Sequence, residues 1–449
     1  MELPTEFIQK YQQLLGSEST DFLASFQQPS LNGYRINPLK QDSVSDPNYL
    51  NNEKIDYVDN GFFGSVNGKS IDHTAGYLYS QEPSAMYVGE VVDPQPNERV
   101  LDLCAAPGGK STQLVAKMNN TGLLVSNEIF RKRANILAEN LERWGAKNTL
   151  ITNASPDKLA PKFPTFFDRI LVDAPCSGEG MFRKDPAAAD YWNLDYPEEC
   201  ANRQRKILAS AMQMLRPGGT LVYSTCTFAP EEDEQIIAWL LEKYPDLSLE
   251  PIKKYAGMDS GMPQWADNNP DLTKTVRLFP HHIKGEGHFI AKLKLAPSDT
   301  DKQSQPIQQT TTLPKDQMAL FNEFMTETLP QLHFTNLITF GDQLYTLPAD
   351  TPDLNHLSVI RPGLHLGTFK KRRFEPSFAL ALTLSAADVK NKIEITEAQW
   401  RAYVHGDTLS LQHQLAKGWY LLLCAGHSIC FGKVVNQTVK NFYPKGLRF

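Results

Sequence analysis

Between residues 98 and 295, short β-branched and apolar runs alternate with stretches of helical period, and this rhythm leaves few folds open. Residues 100–104, 123–127, 149–152, 169–172 and 220–224 read as strands, and residues 108–118, 131–144 and 198–215 as helices. Such repetition predicts an α/β fold with a doubly wound parallel sheet. Residues 276–279 and 288–295 then close it as a hairpin. In an open α/β sheet, ligands bind beyond the carboxyl ends of the strands. The residues just past each strand are therefore the ones that bear on function.

Two of those strand ends carry a cysteine. Pro217, Gly218 and Gly219 end one element, residues 220–224 form a buried strand, and Pro230 with Glu231 and Glu232 is expected to open a helix. Cys226 thus sits in a strand-to-helix loop and is a candidate nucleophile. The stretch 173–186 (Asp-Ala-Pro-Cys-Ser-Gly-Glu-Gly-Met-Phe-Arg-Lys-Asp-Pro) comes after the preceding strand and places Cys176 in the same crevice. A single cysteine there is more often a small core residue. Two at equivalent strand ends, side by side if the strands are neighbours, point to chemistry. The six cysteines (104, 176, 200, 226, 424 and 430) are too few for a disulfide scaffold in a chain of 449 residues.

A third strand end offers a cofactor site. Cys104, Ala105, Ala106, Pro107, Gly108, Gly109 and Lys110 form a small-residue turn into a helix, whose free N–H groups face a ligand. Glu128 comes after the next strand, at the right separation to hydrogen-bond a ribose diol. The loop lacks the full glycine pattern of dinucleotide enzymes, which favours a nucleoside cofactor without pyrophosphate, such as S-adenosylmethionine. A tight turn with a solvated Glu128 is the plainer alternative, and the loop by itself leaves both open.

Two thiols beside a methyl donor fit one reaction well. Carbon 5 of cytosine is a poor nucleophile until a thiolate adds to carbon 6 and turns the ring into an enamine. Asp173 is placed to hold a proton at N3, and Cys176 to assist loss of the carbon-5 hydrogen as the Cys226 thiolate leaves. A cysteine of ordinary pKa, about 8.5, must be activated by its surroundings.

At this point four motifs in order, residues 79–86 (Tyr-Ser-Gln-Glu-Pro-Ser-Ala-Met), 104–110, 173–178 and 224–226, resemble the Sun/Nop-type RNA cytosine-5 methyltransferases, in the bacterial RsmF-type branch that acts on 16S ribosomal RNA of the small subunit. Residues 3–40 resemble that family's N-terminal RNA-binding extension, and residues 441–448 (Asn-Phe-Tyr-Pro-Lys-Gly-Leu-Arg) the end of its PUA-like domain. The resemblance implies a Rossmann-like class I methyltransferase core with S-adenosylmethionine as cofactor, a small N-terminal extension and a C-terminal α+β PUA-like region. It implies Cys226 as covalent nucleophile and Cys176 as release cysteine, with residues 104–110, Glu128, Arg133 and Asp173 lining the cofactor site and no metal. The family's acid after the third strand is displaced here to Asp157, which leaves the adenine contact open. The implied divisions are residues 1–80, 81–296, a linker over 297–314 rich in Gln, Thr, Ser and Asp, and 315–449.

The remaining features bound the reading. Residues 1–40 suggest two short helices and a strand, residues 41–68 a surface loop, and residue 83 a helix start. The net charge of −6 is no global nucleic-acid signature, so RNA contacts must be local: Arg183 and Lys184 behind Cys176, or the basic run 370–373. Cys424, His427 and Cys430 read as a hairpin with core cysteines, because a zinc site needs a fourth ligand. His281 and His282 are expected at the surface. Neither a signal peptide nor an apolar run of about 18 residues is seen, which predicts a cytoplasmic chain, taken as a monomer without membrane contact. The rival functions are methylation of a tRNA or of an exocyclic amine, and a non-catalytic ribosome-assembly factor.

Overall fold

A computed structural model describes residues 2–298, 313–410 and 413–449. Most of the linker expected at 297–314 lies outside the described residues. The central sheet is built from β1 (Arg99–Asp102), β2 (Leu123–Asn127), β3 (Thr149–Thr152), β4 (Phe167–Asp173), β5 (Leu215–Thr225), β6 (Leu247–Glu250) and β7 (His288–Leu295). Their order is β3-β2-β1-β4-β5-β7-β6. The first five are parallel, and β7 runs antiparallel to β5. The expected closing hairpin forms where Val276–Leu278 pairs with β7.

Both faces of the sheet are covered, and the strands show it residue by residue. Leu101, Val125, Ile170 and Leu221 belong to one buried cluster, while their neighbours Val100, Leu124, Leu171 and Val222 belong to the other. Side chains alternate across a strand, so a strand buried on both faces must be apolar throughout. That is why these segments read as continuous apolar runs.

The N-terminal helices Thr5–Leu15 and Ser19–Ser25 pack Phe7, Tyr11, Phe22 and Phe26 against Phe182, Trp192, Phe228 and Phe279 of the core. The surface loop expected over 41–68 is partly ordered. Gly61–Phe63 pairs with Gly33–Ile36, and Leu78–Gln81 completes a three-stranded sheet. Its apolar run is only Phe62 and Phe63, too short to carry a periodic signal, and Phe62 is held by stacking on Tyr34. Helix Pro83–Val92 starts where expected, with Glu82 accepting from the N–H groups of Ser84 and Ala85.

Beyond residue 313, helix Lys315–Thr328 precedes a four-stranded sheet, and a five-stranded sheet closes the chain. Val359–Arg361 adds to the free edge of β3, so this C-terminal part covers an exposed row of backbone groups. Cys424 and His427 face each other at the mouth of the expected hairpin. His427 Nε2 lies 2.9 Å from Asp72 Oδ1, and its ring stacks on Tyr77. The two ends of the chain are thereby joined by a buried polar contact.

Candidate active site and its cysteine pair

Because β4 and β5 are adjacent and parallel, with Asp173 opposite Ser224, the loops that leave them lie side by side. Cys176 Sγ and Cys226 Sγ are 3.3 Å apart. The loops touch where the Gly180 N–H donates to the Cys226 carbonyl at 2.9 Å. A Cβ at residue 180 would stand 2.9 Å from that oxygen and 3.0 Å from the Gly287 carbonyl, so only glycine permits this approach.

The hydrogen bond to Cys226, and then burial, raise the Cys176 thiol well above the ordinary range. Cys176 thus keeps its proton beside the Cys226 sulfur. Lys110 Nζ lies 2.7 Å from Asp173 Oδ2, and Ser224 Oγ donates to Asp173 Oδ1 at 2.7 Å. Burial pushes the Asp173 carboxyl up, but Lys110 and these bonds outweigh it and hold the group ionised. Burial likewise disfavours the Lys110 cation, yet Asp173, and at lesser strength Cys226, keep it above the usual amine range. Lys110 is therefore a fixed positive charge for both groups.

A cavity of about 680 Å³ opens beside the sulfurs. Of the expected cofactor residues, Cys104, Ala106, Glu128, Arg133 and Asp173 line it, together with Cys176 and Cys226. Ala105, Pro107, Gly108, Gly109 and Lys110 form the loop behind that wall. The Ala105 N–H donates to the Asn127 carbonyl at 2.9 Å, and Gly108 takes φ 113°, a left-handed conformation suited to glycine. Glu128 is buried, not solvated; it accepts from the Phe130 N–H at 2.9 Å and lies 3.4 Å from Arg133 Nη1. Arg133 also donates to the Ala106 carbonyl at 2.8 Å, tying the acid's strand to the glycine loop. An acid held this way fits a ribose diol, and the size of the cavity fits a nucleoside. Asp157 reaches the wall beside Pro156.

Several groups at the site were not apparent from the residues alone. Arg203, Lys206, Ile207 and Ser210 line the cavity from helix Tyr196–Met214. Their spacing of 3, 1 and 3 marks one helix face, a signal that could have found them. Ile129 and Phe130, 54% and 61% exposed, form an apolar rim directly after Glu128. Arg35 has no local signal: it donates to the Gly109 carbonyl at 2.6 Å and to Thr112 Oγ1 at 2.8 Å, so the N-terminal sheet braces the glycine loop. Glu179 accepts from Tyr11 Oη, Trp192 Nε1, Thr227 Oγ1 and the Phe228 N–H. One buried carboxylate thus links the N-terminal helices to both cysteine loops.

Three expectations are corrected. The helix after Cys226 is Glu234–Lys243 and does not begin at Pro230. The expected acids precede it: Glu231 pairs with Lys10 at 2.9 Å and Glu232 is buried, while Asp233 and Glu234 are buried on the Arg277 guanidinium. Arg183 is buried against Glu286, with its other donors on the Ser25 and Gly285 carbonyls, and is spent on structure. The His281 side chain is only 5% exposed, because it packs on Phe22 and Phe279.

Glu232 gives a pH-dependent prediction. It accepts from the Ser177 N–H at 3.0 Å and Gln204 Nε2 at 2.7 Å, behind the Cys176 loop, and burial pushes it up to about 8. The folded chain then binds a proton that the unfolded chain has released, so stability falls as pH rises from the ordinary carboxyl range to about 8 and levels off above. Glu232→Gln is expected to remove that decline, gaining on the order of 2 kcal/mol over the wild type between pH 6 and 9 in urea melts. Parallel curves for the two proteins would show that Glu232 does not carry the proton.

The order of parts along the chain recurs in known families. Residues 90–294 match the family described as 16S rRNA methyltransferase RsmB/F, and residues 3–83 the N-terminal domain of 16S rRNA methyltransferase RsmF. Residues 323–384 match the RsmF first C-terminal domain, and residues 390–449 the methyltransferase RsmF PUA domain. The chain is 31% identical to ribosomal RNA small subunit methyltransferase F of Erwinia tasmaniensis, covering 99% of this chain and 96% of that protein. It is 30% identical to the protein of the same name from Vibrio cholerae, covering 100% and 98%. Among solved structures, a methyltransferase homologue from Pyrococcus horikoshii is 29% identical with a TM-score of 0.57, covering 64% of this chain and 94% of that one. NSun6 from Pyrococcus horikoshii, solved with SFG, shares the fold at 21% identity and a TM-score of 0.58, covering 66% and 99%. The core is thus a class I methyltransferase fold, and its cofactor is S-adenosylmethionine. From one end to the other, the chain belongs to the RsmB/F family of rRNA methyltransferases.

Proposed function

We propose that the chain methylates carbon 5 of cytosine in 16S ribosomal RNA through a transient bond between Cys226 and carbon 6. The observation that carries this reading is the pair of sulfurs 3.3 Å apart on the wall of the cavity that also holds Glu128. S-adenosylmethionine supplies the methyl group when bound. Glu128 and Arg133, with the loop 104–110, are the residues that would hold it; Ile129, Phe130 and Pro156 offer apolar surface to its base.

Each residue has a distinct part in the reaction. The Cys226 thiolate, in the field of Lys110, adds to carbon 6, and carbon 5 takes the methyl group. N3 takes a proton from solvent during addition and returns it on elimination; the Asp173 carboxylate holds it in between. Once the Cys226 sulfur is a thioether it no longer raises the neighbouring thiol, so Cys176 can lose its proton and act as a base. Cys176 then removes the carbon-5 hydrogen, the bond from carbon 6 to sulfur breaks, and the Cys226 thiolate is regenerated. Methylation of an exocyclic amine or an assembly-only role would leave both sulfurs idle.

The target cytosine must leave its stack to reach Cys226, at a cost of about a few kcal/mol that contacts to the RNA backbone must offset. Arg203 and Lys206 at the cavity mouth are placed for this. In the basic run, Lys370 is paired with Asp342 and Arg373 with Glu375, so Lys371 and Arg372 at the hairpin tip are the groups left to meet phosphate. Residues 1–80 and 315–449 act as RNA-binding parts around a catalytic core over 81–296. We read the chain as a cytoplasmic monomer; among the described residues no helix is long and apolar enough to cross a membrane.

The test is tritiated methyl transfer to small subunits and to free 16S RNA from a strain lacking the gene, with bisulfite mapping of the product. One or a few protected cytosines are expected, absent without enzyme. Label confined to adenine, or to an exocyclic amine, would overturn the reading.

A further inference from the structure

We propose that Glu18, His281 and His282 form a binding site for a divalent transition ion of the zinc type, which clamps the N-terminal helices onto the catalytic core. Glu18 ends the turn Gly16–Glu18 between the two N-terminal helices, whereas the histidines come after strand Val276–Leu278. These parts are more than 260 residues apart in sequence, and the fold brings their donor atoms together. His281 Nε2 lies 3.8 Å, and His282 Nε2 3.9 Å, from Glu18 Oε2. All three donors fall within 4.8 Å of one another. Two ligands of one tetrahedral zinc ion, each at about 2.0–2.1 Å, stand roughly 3.3 Å apart, so the two histidine–carboxylate distances close by about half an ångström and the separation of the ring nitrogens by up to about 1.5 Å. Glu18 and His282 are exposed, so neither has to displace packed neighbours to make that adjustment.

A second observation points to a ligand. The His281 side chain is 5% exposed, yet neither of its ring nitrogens has a hydrogen-bond partner. Buried imidazole nitrogens are normally satisfied, so an orphaned ring facing two further donors calls for a bound group. The Glu18 carboxylate at 3.8 Å is beyond hydrogen-bond reach and does not meet that need.

The third line is orientation. His282 Nδ1 lies 2.8 Å from Asp259 Oδ2. A carboxylate behind a histidine fixes the tautomer and presents the other nitrogen to the metal, as in carboxylate–histidine–zinc arrangements. Two imidazoles and one carboxylate favour zinc, cobalt or nickel over calcium or magnesium, and leave a fourth position for water. None of the three ligands lines the catalytic cavity, so the ion would be structural.

The experiment is titration of the full-length, tag-free, chelator-stripped chain with cobalt(II), monitored by visible absorption, with zinc(II) as competitor. The Cys176–Cys226 pair is the other place such an ion could go, so the titration is repeated in a Cys176→Ser, Cys226→Ser background. Expected is one cobalt per chain with a nitrogen/oxygen ligand-field spectrum and no thiolate charge-transfer band, unchanged in that background. Glu18→Gln and His282→Ala change exposed positions and should each weaken binding at least tenfold; zinc should raise the melting temperature of the wild type but not of these variants. No binding at 100 μM cobalt, or binding that survives both variants, would refute the site. Melting that responds to pH between 5 and 7 but not to metal would also refute it and leave only a Glu18–histidine ion pair.

Discussion

Cys226→Ala is expected to lower methyl transfer by at least about 10⁴-fold, because carbon 5 has no other route to enamine reactivity once the thiolate is gone. That factor corresponds to more than about 5 kcal/mol of barrier, the size of effect a removed nucleophile produces. Affinity for S-adenosylmethionine should stay within a few-fold of wild type. The groups assigned to the cofactor, Glu128, Arg133 and the loop 104–110, lie after β1 and β2, whereas Cys226 lies after β5. Stability should change little, since the Cys226 side chain lies at the cavity wall and its carbonyl, not its sulfur, accepts from Gly180. Single-turnover transfer with labelled cofactor, beside calorimetric cofactor binding, makes the comparison. Activity within tenfold of wild type would remove Cys226 from the nucleophile's role. Loss of cofactor binding alone would reassign it to the cofactor site.

Cys176→Ala should behave differently. The first half of the reaction needs the Cys226 thiolate, Lys110 and Asp173, all of which remain, so addition and methyl transfer proceed. Elimination lacks its base, and general-base removal costs about 10²–10⁴-fold. The enzyme should then stall as a covalent RNA adduct, retarded on a denaturing gel and sensitive to nuclease, while steady-state turnover falls by a hundredfold or more. The double variant Cys176→Ala, Cys226→Ala should give no adduct. If neither wild type nor Cys176→Ala ever forms one, the division of labour between the two sulfurs is wrong.

Much of this site could be read along the chain. The strand–helix alternation specified a parallel sheet, and helix Arg131–Trp144 and strands β2 and β3 have the bounds that the apolar pattern implied. Strand ends in such a sheet converge, so the residues after β1, β2, β4 and β5 were identifiable as one crevice before their distances were known. Pattern alone cannot say which buried charges find each other. The guanidinium of Arg35 reaches Gly109 across 74 positions, Tyr11 reaches Glu179 across 168, and His427 reaches Asp72 across 355. Nothing local distinguishes Arg183, buried on Glu286, from a lysine or arginine bound for RNA.

The alternation of strand and helix, and a cysteine past the end of each of two strands, were legible along the chain because side-chain period is local. That those two strands are neighbours, which brings the sulfurs together, came from the fold. Tertiary structure alone decided the Cys176 proton, the burial of Glu232 and the meeting of Glu18 with His281 and His282. The physical reason is that ionisation and ligation depend on the dielectric and the partners within a few ångströms, and folding draws those partners from anywhere in the chain.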